Sequence, residues 1–543
     1  MSTPLLASNR LVIAVILILL ALVLLSTAVA AGQTASDHDD LLDLFHDWRA
    51  FQKAPLVDGV PDYSPSAMAE QHQNLRDYQA RLAALDTTGW PIPDRVDYHL
   101  VWAEMNGLDF DHRVVRPWEN NPAFYTMVFP SQSDVPEREG PQVDGTIELW
   151  AYQFPLAPDD ASEIAAALNT IPELYGRAKS NLTGNGRDLW VASVATFTQQ
   201  IDDLDDLSGR VNESDETLVA AISSAREATV SFRDWLAELA PTKTGPSGIG
   251  KDNYEWYLQN VHLVPYTWDE QVALLQRELD RALATLKLEE HRNRDLPPLE
   301  PVASEEEFAS RYAEGVLEYI AFLRDNDVVT MRDYMEPAQR AQIGRFVPPD
   351  RERGFFTIVD YHDPIIMRTH SYHWIELARL ANEPHSNPIR QGPLLYNIFD
   401  GRAEGLATGM EELLMHAGLL DDHPRSKELI WILLAQRGAR ALAAMHLHAN
   451  EMTLEEAAQF ASERVPRGWL PADGSTITHE VHFYLQQPVY GTSYVIGKIM
   501  LDNLMAERAR QQGDDFTLKG FIDDLNRIGI IPVSMIRWEL AVD

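Results

Sequence analysis

The chain has 543 residues, 45% of them hydrophobic and 9% aromatic, with no cysteine and a formal net charge of −37. That apolar content describes a folded protein with a substantial core rather than a disordered chain. The charge excludes a nucleic-acid surface, which needs cations to neutralise phosphates, and argues against docking on anionic lipid, while the missing thiols exclude disulfides and thiolate chemistry.

The first element is apolar. In "NRLVIAVILILLALVLLSTAVAAGQ", Arg10 precedes an unbroken run from Leu11 to Leu25, and Ala28-Val29-Ala30 forms an A-x-A signal before Ala31. Residues 1–31 are therefore expected to be a signal peptide, favoured by those small residues, or an uncleaved anchor long enough to cross the bilayer. Either would place the remainder outside the cytoplasm, in the periplasm or its equivalent, with membrane contact only through this segment. Beyond it, helix signals dominate. Thr267…Glu270, Ser304…Glu307 and Thr453…Glu456 each set a hydroxyl three residues before a Glu, the pattern of a capping box. "WDEQVALLQRELDRALATLKLEEH", "EEFASRYAEGVLEYIAFLRD" and "KELIWILLAQRGARALAAMHLHANE" repeat apolar residues every three or four positions. Strand signals are limited to "FYTMVF", "TIELWAYQF" and "FFTIVDY". Loops rich in Pro and Gly fall at "FPSQSDVPEREGPQVDG", "APTKTGPSGIG" and "RDLPPLEPVAS", and the last two suggest an N-terminal helical part, 32–300, and a C-terminal part, 301–543. The expected fold is a large, mainly α multi-helix body with minor β structure.

The stretch "MRTHSYHWIELARL" carries His370 and His373 one helical turn apart, with Trp374, Leu377 and Leu380 spaced for a buried helix face. Neutral imidazoles are common zinc ligands, but a pair one turn apart is more often a packing or capping feature, and a metal needs further groups. Glu404 lies about thirty residues on, His446 and His448 follow on a later helix, and Asp400, Glu411 and Glu412 add carboxylates. The chain has no G-x-S-x-G elbow, phosphate-binding loop or dinucleotide fingerprint.

Four ordered stretches carry a resemblance. "EGLATGMEELLMHAGL" contains Glu404, Gly405, Ala407 and Glu411; "RGARALAAMHLHANEMTLEEA" contains Arg440, Leu447 and His448; "FYLQQPVYGTSYVIGK" contains Tyr484, Pro488, Tyr494 and Gly497; "FIDDLNRIGIIPVSMI" contains Phe521, Asp523, Gly529 and Pro532. In this order they resemble a family of exported, helical, zinc-metallopeptidase-like proteins catalogued as domain of unknown function 885. Its pattern runs H-E-x-x-P-G-H, E-G-W-A-x-Y-A-E, R-L-x-x-D-x-G-L-H, R-Y-x-x-x-P-G-Q-x-x-x-Y-x-x-G and F-H-D…G-x-x-P-L. The likeness is strongest from about Gly354 onward, and it implies a gluzincin-like helical body in the C-terminal part.

Anchoring His373 on the last His of H-E-x-x-P-G-H puts Met367 in place of the first zinc ligand and Arg368 in place of the catalytic Glu. Leu406, Gly409, Ala444, Phe483 and Tyr490 likewise stand where the pattern has Trp, Tyr, Asp, Arg and Gln. Met is a poor zinc ligand and Arg cannot serve as a base. At ~5 Å and an effective dielectric of ~20, Arg beside zinc costs roughly 6–7 kcal/mol.

The resemblance with its losses favours an inactive, metal-free protein that binds a peptide or an envelope protein. Its cleft would be lined by Arg368, His373, Glu404, His448 and Tyr494, with Arg368 pairing with Glu404 where zinc would sit. One alternative is a metal-dependent hydrolase with a relocated zinc site on His370, His373 and Glu404, with His448 as a further candidate ligand and Glu376 or Glu411 as base. Another is a structural helical envelope protein.

Overall fold

The computed structural model describes residues 37–212 and 214–540. The apolar N-terminal segment lies outside the described residues, among which no helix is long and apolar enough to cross a membrane. Fifteen of the helices carry the argument below. They are α1 (His38–Phe51), α2 (Pro65–Ala83), α3 (Ile92–Phe110), α4 (Pro158–Leu168), α5 (Ile171–Asn181), α6 (Arg187–Arg210), α7 (Glu216–Leu239) and α8 (Trp268–Arg292). The remainder are α9 (Glu305–Asp325), α10 (Pro364–His370), α11 (Tyr372–Asn382), α12 (Asp400–Ala417), α13 (Ser426–His448), α14 (Ser475–Gln486) and α15 (Tyr490–Gln512). The mainly α expectation agrees with this architecture.

Local signals set several of the helix starts. Thr267 and Thr453 form reciprocal capping boxes with Glu270 and Glu456. Ser304 accepts from the Glu307 amide, but the Glu307 carboxylate takes the Ala303 amide instead. Strand is minimal. Leu56–Val57 pairs antiparallel with Val60–Pro61, and Val128–Phe129 pairs parallel with Ile147–Glu148. The last two lie inside "FYTMVF" and "TIELWAYQF". "FFTIVDY" is not a strand: Phe355–His362 is a helix that buries Phe355 and Val359, four residues apart. Helical spacing and tertiary burial override its β-branched and aromatic content there.

Two large hydrophobic cores result, with a small third cluster of Val302, Phe308, Tyr312 and Tyr361. The smaller, from Ala54 to Ala240, is where α4, α5 and α6 pack on α7. The larger draws on α1, α2 and α3 as well as on residues between Tyr254 and Ile536. At its centre runs α13, buried on almost every side from Ser426 to Leu447, with α8 along one flank and α15 along another. Its buried charges are paired: Glu428 with Arg425, Arg437 with Glu411 and Arg440 with Glu480.

The start of α10 is fixed by Asp363, which accepts from the Ile365 amide and from Ser426 Oγ. His423 bridges this cap, with Nδ1 3.1 Å from Asp363 and Nε2 3.0 Å from Glu318 on α9. The hydrogen bond to Asp363 outweighs burial and raises His423 from 6.5 to about 9. A histidine raised on folding stabilises fully below its unfolded value, and that contribution disappears as pH rises through about 9. His423→Leu should therefore be less stable than the wild type at pH 7, with the gap closing by about pH 9.5. Urea unfolding at the two pH values measures this, and a gap unchanged with pH would contradict it.

Candidate metal centre

The helical turn that would carry both His370 and His373 is broken at Ser371. His370 ends α10 and His373 sits in the first turn of α11, with their rings 5.1 Å apart and near-perpendicular. The buried face of α11 consists of Tyr372, His373, Ile375 and Glu376, while Trp374, Leu377 and Leu380 are half-buried. The shift has a cause in polar partners, because this face meets α12, where Arg402 takes Glu376 at 2.8 Å and Glu404 takes His373.

His373 Nε2 lies 3.2 Å from Glu404 Oε2, both side chains almost fully buried. The other Glu404 oxygen accepts from the Tyr490 hydroxyl, itself 3.1 Å from the Tyr494 hydroxyl and 3.2 Å from Glu139. Burial opposes charge on both members of the pair, yet the Glu404 and Asp134 carboxylates hold the His373 pKa up, and the imidazole holds Glu404 down. His370 faces the other way at Nδ1, 3.2 Å from both Glu411 Oε1 and Arg437 Nη2, and Arg437 clamps Glu411 at 2.7 and 2.9 Å. Nδ1 is thus engaged, leaving Nε2 as the nitrogen available to a ligand. Burial and then the Arg437 charge lower the pKa of His370.

The cluster is completed from far upstream. Potential ligand atoms of Asp134, His370 and His373 lie within 4.8 Å of one another, as do those of Asp134, Glu139 and Glu404. Asp134 and Glu139 belong to the Pro- and Gly-rich loop after Phe129. Burial, reinforced by Asp134, raises Glu139 to about 7. Burial followed by the charges of Glu404 and Glu139 keeps Asp400 well above its usual range, although Gln487 donates to it at 2.7 Å.

The backbone approach that delivers Glu404 to Tyr490 comes from glycine. A Cβ on Gly405 would lie 2.5 Å from the Gly497 carbonyl carbon, and one on Gly497 would lie 2.1 Å from the Gly401 oxygen. No side chain fits between α12 and α15 at this crossing.

Two expectations are corrected. Arg368 does not meet Glu404. Its guanidinium is buried 3.8 Å from Asp360 and 5.7 Å from the Tyr312 ring centre. It precedes His370 by two residues, about 200° around a helix, so the two point to opposite sides of α10. Met367 is half-buried against the main core. His448 is also elsewhere. Its Nε2 donates to the Tyr484 carbonyl at 2.9 Å, its ring packs on Tyr254, and burial lowers it to about 4. It follows Arg437 by eleven residues, about 16 Å along a helix. The two carboxylates considered as bases, Glu376 and Glu411, are held by guanidinium groups.

The model of the family described as "bacterial protein of unknown function (DUF885)" matches residues 51–338 and 373–540. The chain belongs to that family. Within this DUF885 protein the match resumes at His373, and the stretch with Met367, Arg368 and His370 lies between the matched segments. No curated protein matches. Among solved structures, a "putative lipoprotein of unknown function" from Shewanella oneidensis is 16% identical, with a TM-score of 0.65, over 93% of this chain and 98% of that one. A "putative lipoprotein" from Colwellia psychrerythraea is 12% identical, with a TM-score of 0.66, over 94% and 99%. At these identities the likeness shows a shared fold.

Proposed function

We propose that this DUF885 protein is an exported, metal-dependent hydrolase of peptide-like substrates, with its metal held by His370, His373 and Glu404. The carrying observation is a chain of contacts across three separate helices, from the His370 ring to the His373 ring at 5.1 Å and from His373 Nε2 to Glu404 Oε2 at 3.2 Å. The donor set suits zinc. The 3.2 Å from His373 Nε2 to Glu404 Oε2 also fits it, because two ligands each ~2.05 Å from a tetrahedral ion are about 3.3 Å apart. Outer partners support the set: Glu411 and Arg437 orient His370, and Tyr490 with Tyr494 orients Glu404. When bound, the ion would supply a Lewis acid and a more acidic water.

The chain's own groups supply the rest. The Glu139 carboxylate, bonded to the Tyr490 hydroxyl and at 2.8 Å to Ser133, is placed to hold a proton in the role that Arg368 cannot fill. Beside the cluster opens a cleft of about 430 Å³ lined by Trp118, Phe124, Arg138, Tyr396, Asn397 and Gln487 among others. Its mixture of aromatic, amide and charged groups suits a peptide. The apolar N-terminal segment supports export, and the description of both structural relatives as lipoproteins is in keeping with it.

A second reading is the metal-free one, in which the same cleft binds a peptide or an envelope protein. It is favoured by the same 3.2 Å contact, which equally accommodates a charge-assisted hydrogen bond. Calorimetric zinc titration of chelator-stripped protein separates the two. The wild type should take up one equivalent, and Glu404→Gln and His373→Ala should lose it. A wild type that takes up none would leave the metal-free reading.

A further inference from the structure

Resting on that metal centre, we propose that Asp134 is its fourth protein ligand, so that a divalent cation pins the loop of residues 131–146 across the site. Asp134 is the one residue common to both triplets, sharing a 4.8 Å cluster with His370 and His373 and another with Glu139 and Glu404. It therefore lies between the imidazole side and the carboxylate side of the centre. Asp134 would add a second carboxylate to the two imidazoles and Glu404, closing the site at rest and leaving a position for water or substrate when it withdraws.

The loop is built to be held at this point. Ser133 Oγ donates to Glu139 at 2.8 Å, and the Val135 amide donates back to Ser133 Oγ at 3.3 Å, making a short turn around Asp134. Val135 is inserted into the main core. Farther along, Arg138 pairs with Glu148 at 2.9 Å, and the Gly140 amide donates to Gln487, which in turn holds Asp400. These contacts carry the loop from the small parallel strand pair to the helices of the centre. Opposing them, Asp134, Glu139 and Glu404 bring three carboxylates together. A dication at this place removes that repulsion, so binding it and closing the loop are one event.

The loop also separates two spaces. Glu137, Arg138 and residues 140–146 line the 430 Å³ cleft, whereas Asp134 and Glu139 face the centre. A substrate in the cleft reaches the ion by taking the place of Asp134, the ligand carried on a loop rather than on a helix. The centre is thus shared between distant parts of the chain.

The experiment measures zinc affinity of full-length Asp134→Asn and wild type by competition with a chromophoric chelator, together with amide exchange of residues 131–146 with and without zinc. The expected result is a loss of affinity of at least tenfold in Asp134→Asn, with zinc slowing exchange of the loop in the wild type alone. If Asp134→Asn binds zinc like the wild type while Glu404→Gln does not, the inference is overturned and the His370, His373, Glu404 centre stands. If the wild type itself binds no zinc, both are overturned.

Discussion

Gly497→Ala should destabilise the protein by about 3 kcal/mol or more and abolish zinc uptake. The added methyl would meet backbone, 2.1 Å from the Gly401 oxygen and 2.9 Å from the Gly405 α-carbon, and no rotamer change relieves a backbone contact. The helices α12 and α15 must separate, and Glu404 then loses its hydroxyl partner Tyr490, which Tyr494 supports. Gly209→Ala is the control, because its Cβ would enter open space and it lies on α6, away from the centre. Chemical denaturation of the two variants makes the comparison. Equal stability of Gly497→Ala and wild type would mean that the two helices do not meet backbone to backbone.

Arg390→Met should cost about 3–5 kcal/mol, the range for stripping one partner from a buried ion pair. The guanidinium is almost wholly buried and ties α3 to two segments near residues 528 and 539. It lies 2.7 Å from Asp97 on α3 and 2.7 Å from Glu539, and donates to the Pro93 and Ile528 carbonyls at 3.1 Å each. Removing it leaves Asp97 with only His38 and Asn387. Asp97→Asn in the same chain should restore part of the loss, since the orphaned charge is then gone. Thermal melts of the two single variants and the double variant close the cycle. Strict additivity would show that the charge on Asp97 is not what Arg390 compensates.

The helical character was legible because periodicity and caps are local: Thr267 with Glu270 and Thr453 with Glu456 form the boxes that their spacing predicts. Gly405 and Gly497, noted in separate motifs, could be named but not paired, because only the folded chain shows that they touch. Within the centre, the sequence points to His373 and Glu404 by resemblance, and their 3.2 Å contact brings them together. Arg368 was misplaced because alignment to a motif ignores helical phase, which turns it toward Asp360. His448 lies about three turns beyond Arg437 along α13, a distance that no motif displays. Asp134 and Glu139 were missed outright. They lie in a Pro- and Gly-rich loop more than two hundred residues upstream, and no spacing rule links them to a histidine. The only trace is that "SDVPERE" places carboxylates in a segment otherwise suited to turns.

The most direct measurement is an anomalous difference map at the zinc edge from crystals of tag-free protein grown with zinc. The expected result is a dominant peak within bonding distance of both His373 Nε2 and Glu404 Oε2, absent in crystals of Glu404→Gln. A map without that peak, with His373 still hydrogen-bonded to Glu404, would contradict the metal centre.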